Sequence, residues 1–352
     1  MRNIKSYACH ISALVFLLTV FCAGDLSAQF QDSEEVKKVG TSAAAFLRIP
    51  VGVRGTALGG AFVSIADDAS AMFWNPSGIA RVEDISLFFD HSPWLPGITF
   101  NYVGFVMPLE DIGSVGVNIT ALTSDEFEVT TVDQPMGTGE TFSSTSVAVG
   151  MAYARNLTDR FSIGANFKFI SESILNSQAT GFAFDIGTIY NTPFRGIRLG
   201  VSISNFGTDL QIDGDDLNVR VDIAPNQEGN NQSVVGRLNT DDFSAPLIMR
   251  VGISWDAINR PSNRLTFSID GLNPNDNEQS INIGAEYGLF NETLVLRGGY
   301  NELFLEDREK GLTLGAGVNY ETSTGIGFSG GYAFQNLENL DAINRFSFEL
   351  RF

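Results

Sequence analysis

Cysteine is nearly absent. The 352-residue chain has two, Cys9 and Cys22, and only two histidines, His10 and His91. Three of these four lie within residues 1–28. There Arg2 and Lys5 form a basic start, residues 11–23 an apolar run, and "LSA" ending at Ala28 a cleavage site, the layout of a secretory signal peptide. The apolar run is shorter than the roughly 20 residues a spanning helix needs. Phe21 is bulky where a lipoprotein signal carries a small residue, so no lipid anchor is expected. Once that segment is removed no cysteine remains, which excludes a disulfide scaffold and thiolate metal sites.

Basic charge is scarce as well. Setting aside Arg2, Lys5 and Asp25 leaves 20 basic against 40 acidic side chains. A chain so acidic lacks the basic stripe that neutralises phosphates, and nucleic acid is not an expected partner. After residue 28 there is no apolar run of about 18 residues or more, which excludes a helical membrane protein but not a β-barrel. Catalysis is poorly served too. His91 stands between Asp90 and Ser92, and neighbours on a strand point to opposite faces, so the two cannot both converge on it. A non-enzymatic protein without cofactor or metal is expected.

What is present is alternation. From about Glu83, segments of apolar and polar residues in strict turn are separated by turn clusters, as in "SVGVNITA" (114–121) and "FSIGANFKF" (161–169). Fourteen such strands are centred near residues 87, 104, 118, 149, 167, 186, 201, 251, 267, 284, 297, 316, 330 and 349. The second is the least clear, because "FNYVGFVM" is apolar on both faces. Short connections such as "NLTDR" and "ETST" interleave with long ones near 124–142, 206–245, 271–279, 302–310 and 335–344. The chain ends on Phe352, with Phe346, Phe348 and Leu350 sharing one face. The polar faces carry mostly Gly, Ser, Thr and Asn. Together these predict an all-β fold, a 14-stranded antiparallel transmembrane β-barrel over 83–352, bounded by outer-membrane lipid.

Seven charged residues test the register: Lys168, Asp185, Arg198, Arg250, Glu286, Arg297 and Glu349. Each falls on the face opposite the apolar series, which is the lumen side of a barrel. Lys168, Asp185 and Arg198 lie on consecutive strands with alternating sign and are expected to form a lumenal charge ladder. Phe88 and Ile170 are the clear apolar residues on that face. Trp94 and Trp255 lie near strand ends, where an aromatic girdle is expected. "DGDD" (Asp213–Asp216) with Asp241 and Asp242 reads as a solvated acidic loop, loose calcium binding being the alternative.

Residues 29–82 differ. "TSAAAFLRIP" (41–50) reads as a short helix with a proline stop, followed by the glycine-rich "VGVRGTALGG". In "DDASAMFWNPSGIA" (67–80), Asp67 can cap a second short helix and Asp68 complement its dipole. Pro76 ends that helix at Asn75, and Gly78 permits a tight turn. A fourteen-stranded barrel is too wide for wall side chains to fill, so these helices suit a plug in the lumen.

The stretch "FLRIPVGVRGTALGGAFVSIADDASAMFWNPSGIA" (46–80) resembles the amino-terminal signature of the PorV/PorQ family within the FadL-like outer-membrane barrels. The resemblance implies a hatch. Asn75, Pro76, Ser77 and Gly78 would form the turn wedged against the wall, with Phe46, Leu47, Phe73 and Trp74 lining the interior. It also implies two functions. One is a type IX secretion partner that receives the carboxy-terminal domains of secreted proteins or contacts other secretion components. The other is a FadL-like channel for hydrophobic, fatty-acid-like small molecules. Either places the protein in the bacterial outer membrane.

Overall fold

In a computed structural model of the chain, the described residues are 39–194, 196–223, 226, 233–305 and 308–352. The expected signal segment, 1–28, lies outside them.

Fourteen long strands follow one another: β1 Ser86–Leu95, β2 Ile98–Leu109, β3 Gly113–Ser124, β4 Ser144–Thr158, β5 Phe161–Ile174, β6 Ser177–Asn191 and β7 Ile197–Gly207. The second half comprises β8 Ile248–Arg260, β9 Asn263–Pro274, β10 Ser280–Leu289, β11 Leu294–Leu303, β12 Lys310–Glu321, β13 Gly327–Leu337 and β14 Ile343–Arg351. Each pairs antiparallel with the next. β14 returns to β1 through Ser86↔Arg351, Phe88↔Glu349 and Asp90↔Ser347, so the sheet closes. Each of the fourteen predicted centres falls within one of these strands.

The faces are inverted relative to a soluble barrel. On β5, Ile163, Phe167 and Phe169 are exposed while Ser162, Asn166 and Lys168 are buried. β3, β6, β8 and β10 follow the same rule. An apolar outside and a polar inside mark a transmembrane barrel. The long connections, 125–143 and 208–247 among them, share one end with the tight turns 96–97 and 175–176. The short turns and the closing bonds between Ile85 and Phe352 (3.1 and 2.9 Å) occupy the other.

Residues 41–82 fill the lumen with little regular structure. They contain a 3-10 turn Ala45–Arg48, helix α1 Val53–Ala57, helix α2 Ala71–Trp74 and a second 3-10 turn Pro76–Arg81. Both helical expectations shrink. Ala44 adopts φ 52° and so limits the first to a single turn. Asn75 breaks to φ −159° before Pro76 and limits the second to four residues. Wall side chains replace the missing internal bonds. Asp270 accepts from Phe62 N (2.8 Å) and Val63 N (2.9 Å), Asn301 donates to Gly59 O (2.7 Å), Thr313 to Ala57 O (3.0 Å), and Ser347 accepts from Val53 N (2.7 Å).

The wall is glycine-rich on its inner face because plug backbone presses against it. A Cβ at Gly164 would stand 2.6 Å from Pro76 O, and one at Gly284 2.6 Å from Leu58 O. β2 explains its two apolar faces in the same way. Its inward Phe100, Tyr102 and Val106 are fully buried and belong to one apolar cluster with plug residues Ala69 and Met72.

The seating can be checked by cross-linking, since no cysteine follows Cys22. A Cβ at residue 331 of β13 lies 3.3 Å from Val53 Cβ, close to the roughly 3.5–4.5 Å that disulfides span. The pair Val53→Cys, Gly331→Cys is expected to form a bond, seen as a reductant-sensitive mobility shift. Its failure in folded barrel would place the plug elsewhere.

Candidate functional site

The Asn75–Gly78 turn sits against β5 and β6. Asn75 Nδ2 donates to Val63 O (2.8 Å) and Thr188 O (3.1 Å), and its Oδ1 accepts from Ser77 Oγ (2.7 Å) and, more weakly, Ser77 N (3.3 Å). One side chain thus ties the turn to the plug and to the wall. Gly78 has a different reason from the one expected. Its φ is not positive, and a Cβ there would overlap Ala66 O and Ala71 Cβ, so it is needed for close approach rather than turning. Asp67 does not cap α2. It pairs with Arg54, and Asp68 Oδ1 instead accepts from Ser70 N (2.9 Å). Phe46, Leu47 and Trp74 are buried and Phe73 is half-buried.

All seven charged wall residues point inward, in separate groups. Lys168 pairs with Asp185 at 2.8 Å. Arg198 does not continue that pair and instead meets Asp256 at 2.7 Å. The cause is register. Arg198 stands opposite Asn191 on β6, six residues from Asp185, or about 20 Å along a strand. Glu286 is the busiest carboxylate, accepting from Arg54 Nε (2.9 Å), Arg297 Nε (2.7 Å) and Arg264 Nη2 (2.8 Å). Glu349 accepts from Ser86 Oγ at 2.6 Å.

Sequence reasoning missed Arg54, Asp256, Arg264, Asp270 and the fully buried Arg345–Asp90 pair. The wall members share the parity of the polar faces, so extending the alternation to every charged strand position would have found them. His91 faces outward and bonds Asn101 Oδ1 through Nδ1 at 2.8 Å. In the long loop, Asp216 accepts from Asn176 N (2.8 Å) and Nδ2 (3.1 Å), and these bonds, the side-chain one first, lower its pKa.

Two cavities flank the plug. At the loop end a recess of about 60 Å3 is lined by Pro50, Phe73, Trp74, Ile248, Leu272 and Leu305, with Arg250 among them. At the short-turn end a vestibule of about 580 Å3 carries Arg54, Arg198, Arg297, Asp68, Glu286 and Glu349. The first joins these apolar side chains to a polar rim that includes Arg48, Lys310, Glu278 and Glu302, Arg250 being the buried charge among them, and the second is lined mainly by charged and polar residues.

The barrel superposes on solved channels of the same construction. The CymD monoaromatic hydrocarbon channel matches at TM-score 0.53 and 14% identity, over 86% of this chain and 96% of that one. The Ralstonia pickettii toluene transporter TbuX matches at 0.54 and 13%, over 86% and 98%. The Pseudomonas putida toluene transporter TodX matches at 0.52 and 12%, over 85% and 96%. The chain shares the barrel fold of these three proteins. The profile of a family described as "Uncharacterised protein family (UPF0164)" matches residues 20–183, which include the plug and the strands up to part of β6. No curated protein matches the sequence.

Proposed function

We propose that this protein is an outer-membrane channel, closed at rest by its plug, for small molecules with an apolar body and an acidic head of the fatty-acid kind. The observation that carries this is Arg250. It is 5% exposed, and its guanidinium lies over the rings of Phe73 (5.9 Å) and Trp74 (5.6 Å). It donates through Nη1 to Ser204 Oγ (3.1 Å), and its Nε has no partner. Among the described residues no carboxylate lies within 4.0 Å of it. Asp270, its diagonal neighbour on β9, accepts plug amides with Oδ2 and is not in contact with the guanidinium. A buried ion without a counter-ion costs several kcal/mol. A carboxylate delivered to the recess offsets that cost while its chain lies along Phe73, Trp74 and Leu305.

The secretion reading rests on the PorV/PorQ-like stretch at 46–80 and on the long acidic loop at 206–245. The recess and the fold likeness favour the channel. Binding of decanoate and decanol to the purified protein separates charge from chain. Arg250→Met is expected to weaken decanoate on the order of tenfold to a hundredfold, as loss of a charged hydrogen bond does, and to leave decanol unchanged. Equal binding of the two probes by the unsubstituted protein would defeat the acidic-head reading. Copurification with a secreted carboxy-terminal domain would restore the alternative.

A further inference from the structure

We infer that residues 58–63 are the gate of this channel and that Asp270 is its latch. The inference rests on the channel reading. Three strands show what lies between the two cavities. On β10, Asn282 borders the recess and Glu286 the vestibule, and Gly284 between them meets Leu58. On β11 the order is Asn301, Gly299, Arg297, with Gly299 against Leu58 and Gly59. On β8 it is Arg250, Gly252, Asp256, with Gly252 against Val63. Along all three, the barrier is one pass of chain.

That pass is built to move. Gly59 and Gly60 both hold positive φ, 64° and 75°, and neither carries a side chain to anchor it. No strand or helix includes residues 58–63. Among the described residues, two wall side chains hydrogen-bond to this segment. Asn301 Nδ2 donates to Gly59 O, and Asp270 Oδ2 accepts from both Phe62 N and Val63 N. Bonds to a carboxylate are roughly twice as strong as neutral ones, so Asp270 is the stronger attachment. It is fully buried, and its Oδ1 has no hydrogen-bond partner. The carboxylate therefore holds the strap with one oxygen while the other remains unused. Releasing the two amides leaves the segment, among the described residues, only neutral side-chain bonds, from Asn301 to Gly59 O and from Asn75 to Val63 O. It then swings at its glycine pair to join recess to vestibule while the Arg54–Glu286 contact stays in place.

The test reads small-ion conductance of the full chain in planar bilayers, which needs no knowledge of the solute. Asp270→Ala is expected to raise conductance on the order of tenfold over the unsubstituted protein, the ratio that about 1.4 kcal/mol of gate stability gives. In that background Val63→Cys with Gly252→Cys is expected to form a disulfide, because a Cβ at 252 touches Val63 Cγ1 and its clash with Asp270 Oδ1 is gone. Oxidation should return conductance to the unsubstituted level and reductant should raise it again. Unchanged conductance in folded Asp270→Ala barrel, or raised conductance that persists with the disulfide formed, overturns the latch. If the alanine variant does not fold, Asp270→Asn decides. It keeps one acceptor without the charge, a severalfold rise is expected, and no rise overturns the proposal. The conductance test uses no solute, so its failure would leave the decanoate result standing, and failure of decanoate binding would leave the latch to be decided by conductance.

Discussion

Replacing Glu286 by alanine is expected to destabilise the seated plug by about 3–5 kcal/mol, the range found when one partner of a buried ion pair is removed. Glu286 is 1% exposed and serves three guanidiniums from two sources. Arg264 and Arg297 come from the wall on β9 and β11, and Arg54 comes from the plug on α1. The consequences differ among the three. Arg264 keeps Glu292 at 2.6 Å, and Arg54 keeps Asp67. Arg297 keeps no carboxylate within 4.0 Å among the described residues, so an uncompensated cation is left inside the lumen. Glu286→Gln should lie between, since it preserves shape and acceptor but not charge. The measurement is the oxidation rate of the Val53→Cys, Gly331→Cys pair, which reports how often α1 is seated. If alanine, glutamine and unsubstituted proteins cross-link alike, the Arg54–Glu286 contact does not hold the plug.

The wall was legible in the sequence to a degree the plug was not, and the reason is periodicity. A strand with one face in lipid must alternate, so parity alone put Lys168, Arg250 and Glu286 on the inside. Parity gives the face of a residue and not its height. Height depends on the stagger between neighbouring strands, which connection lengths do not determine. Lys168 and Asp185 meet because their strands pair nearly in step, whereas Arg198 enters β7 at the short-turn end and finds Asp256. The plug has no period to read. Its helices run five and four residues, and its backbone groups are satisfied by side chains more than 90 positions away in the sequence, Asn166 and Thr313 donating to carbonyls and Asp270 accepting from N–H groups. The motif at 67–80 could be seen to stop a helix at Asn75. That Asn75 would bind Thr188 on the adjoining wall could not.

The glycines of the wall separate these two kinds of information most sharply, and β11 offers a matched pair. Gly298 and Gly299 are adjacent, so they face opposite sides of the barrel. A Cβ at Gly298 would meet Leu314 Cδ2 at 3.6 Å, an ordinary contact on the lipid side. A Cβ at Gly299 would overlap Gly59 N and Leu58 C, with Leu58 O only 2.7 Å away. These are main-chain atoms that no rotamer change can move. Valine suits a strand at either position, so local propensity does not distinguish them. Gly298→Val is expected to change stability by about 0.5 kcal/mol or less, as surface changes do. Gly299→Val should cost at least about 1–3 kcal/mol, the range for overpacking, because Leu58 and Gly59 must leave the wall and take the two Asp270 bonds with them. The barrel should still close, because β11 keeps its ladders with β10 and β12. Hydrogen exchange at Phe62 and Val63 is the discriminating measurement. Fast exchange in Gly299→Val with slow exchange in Gly298→Val is the expected result. Slow exchange in both would mean that the strap does not depend on this approach, and the reading of the wall glycines as its seat would fail.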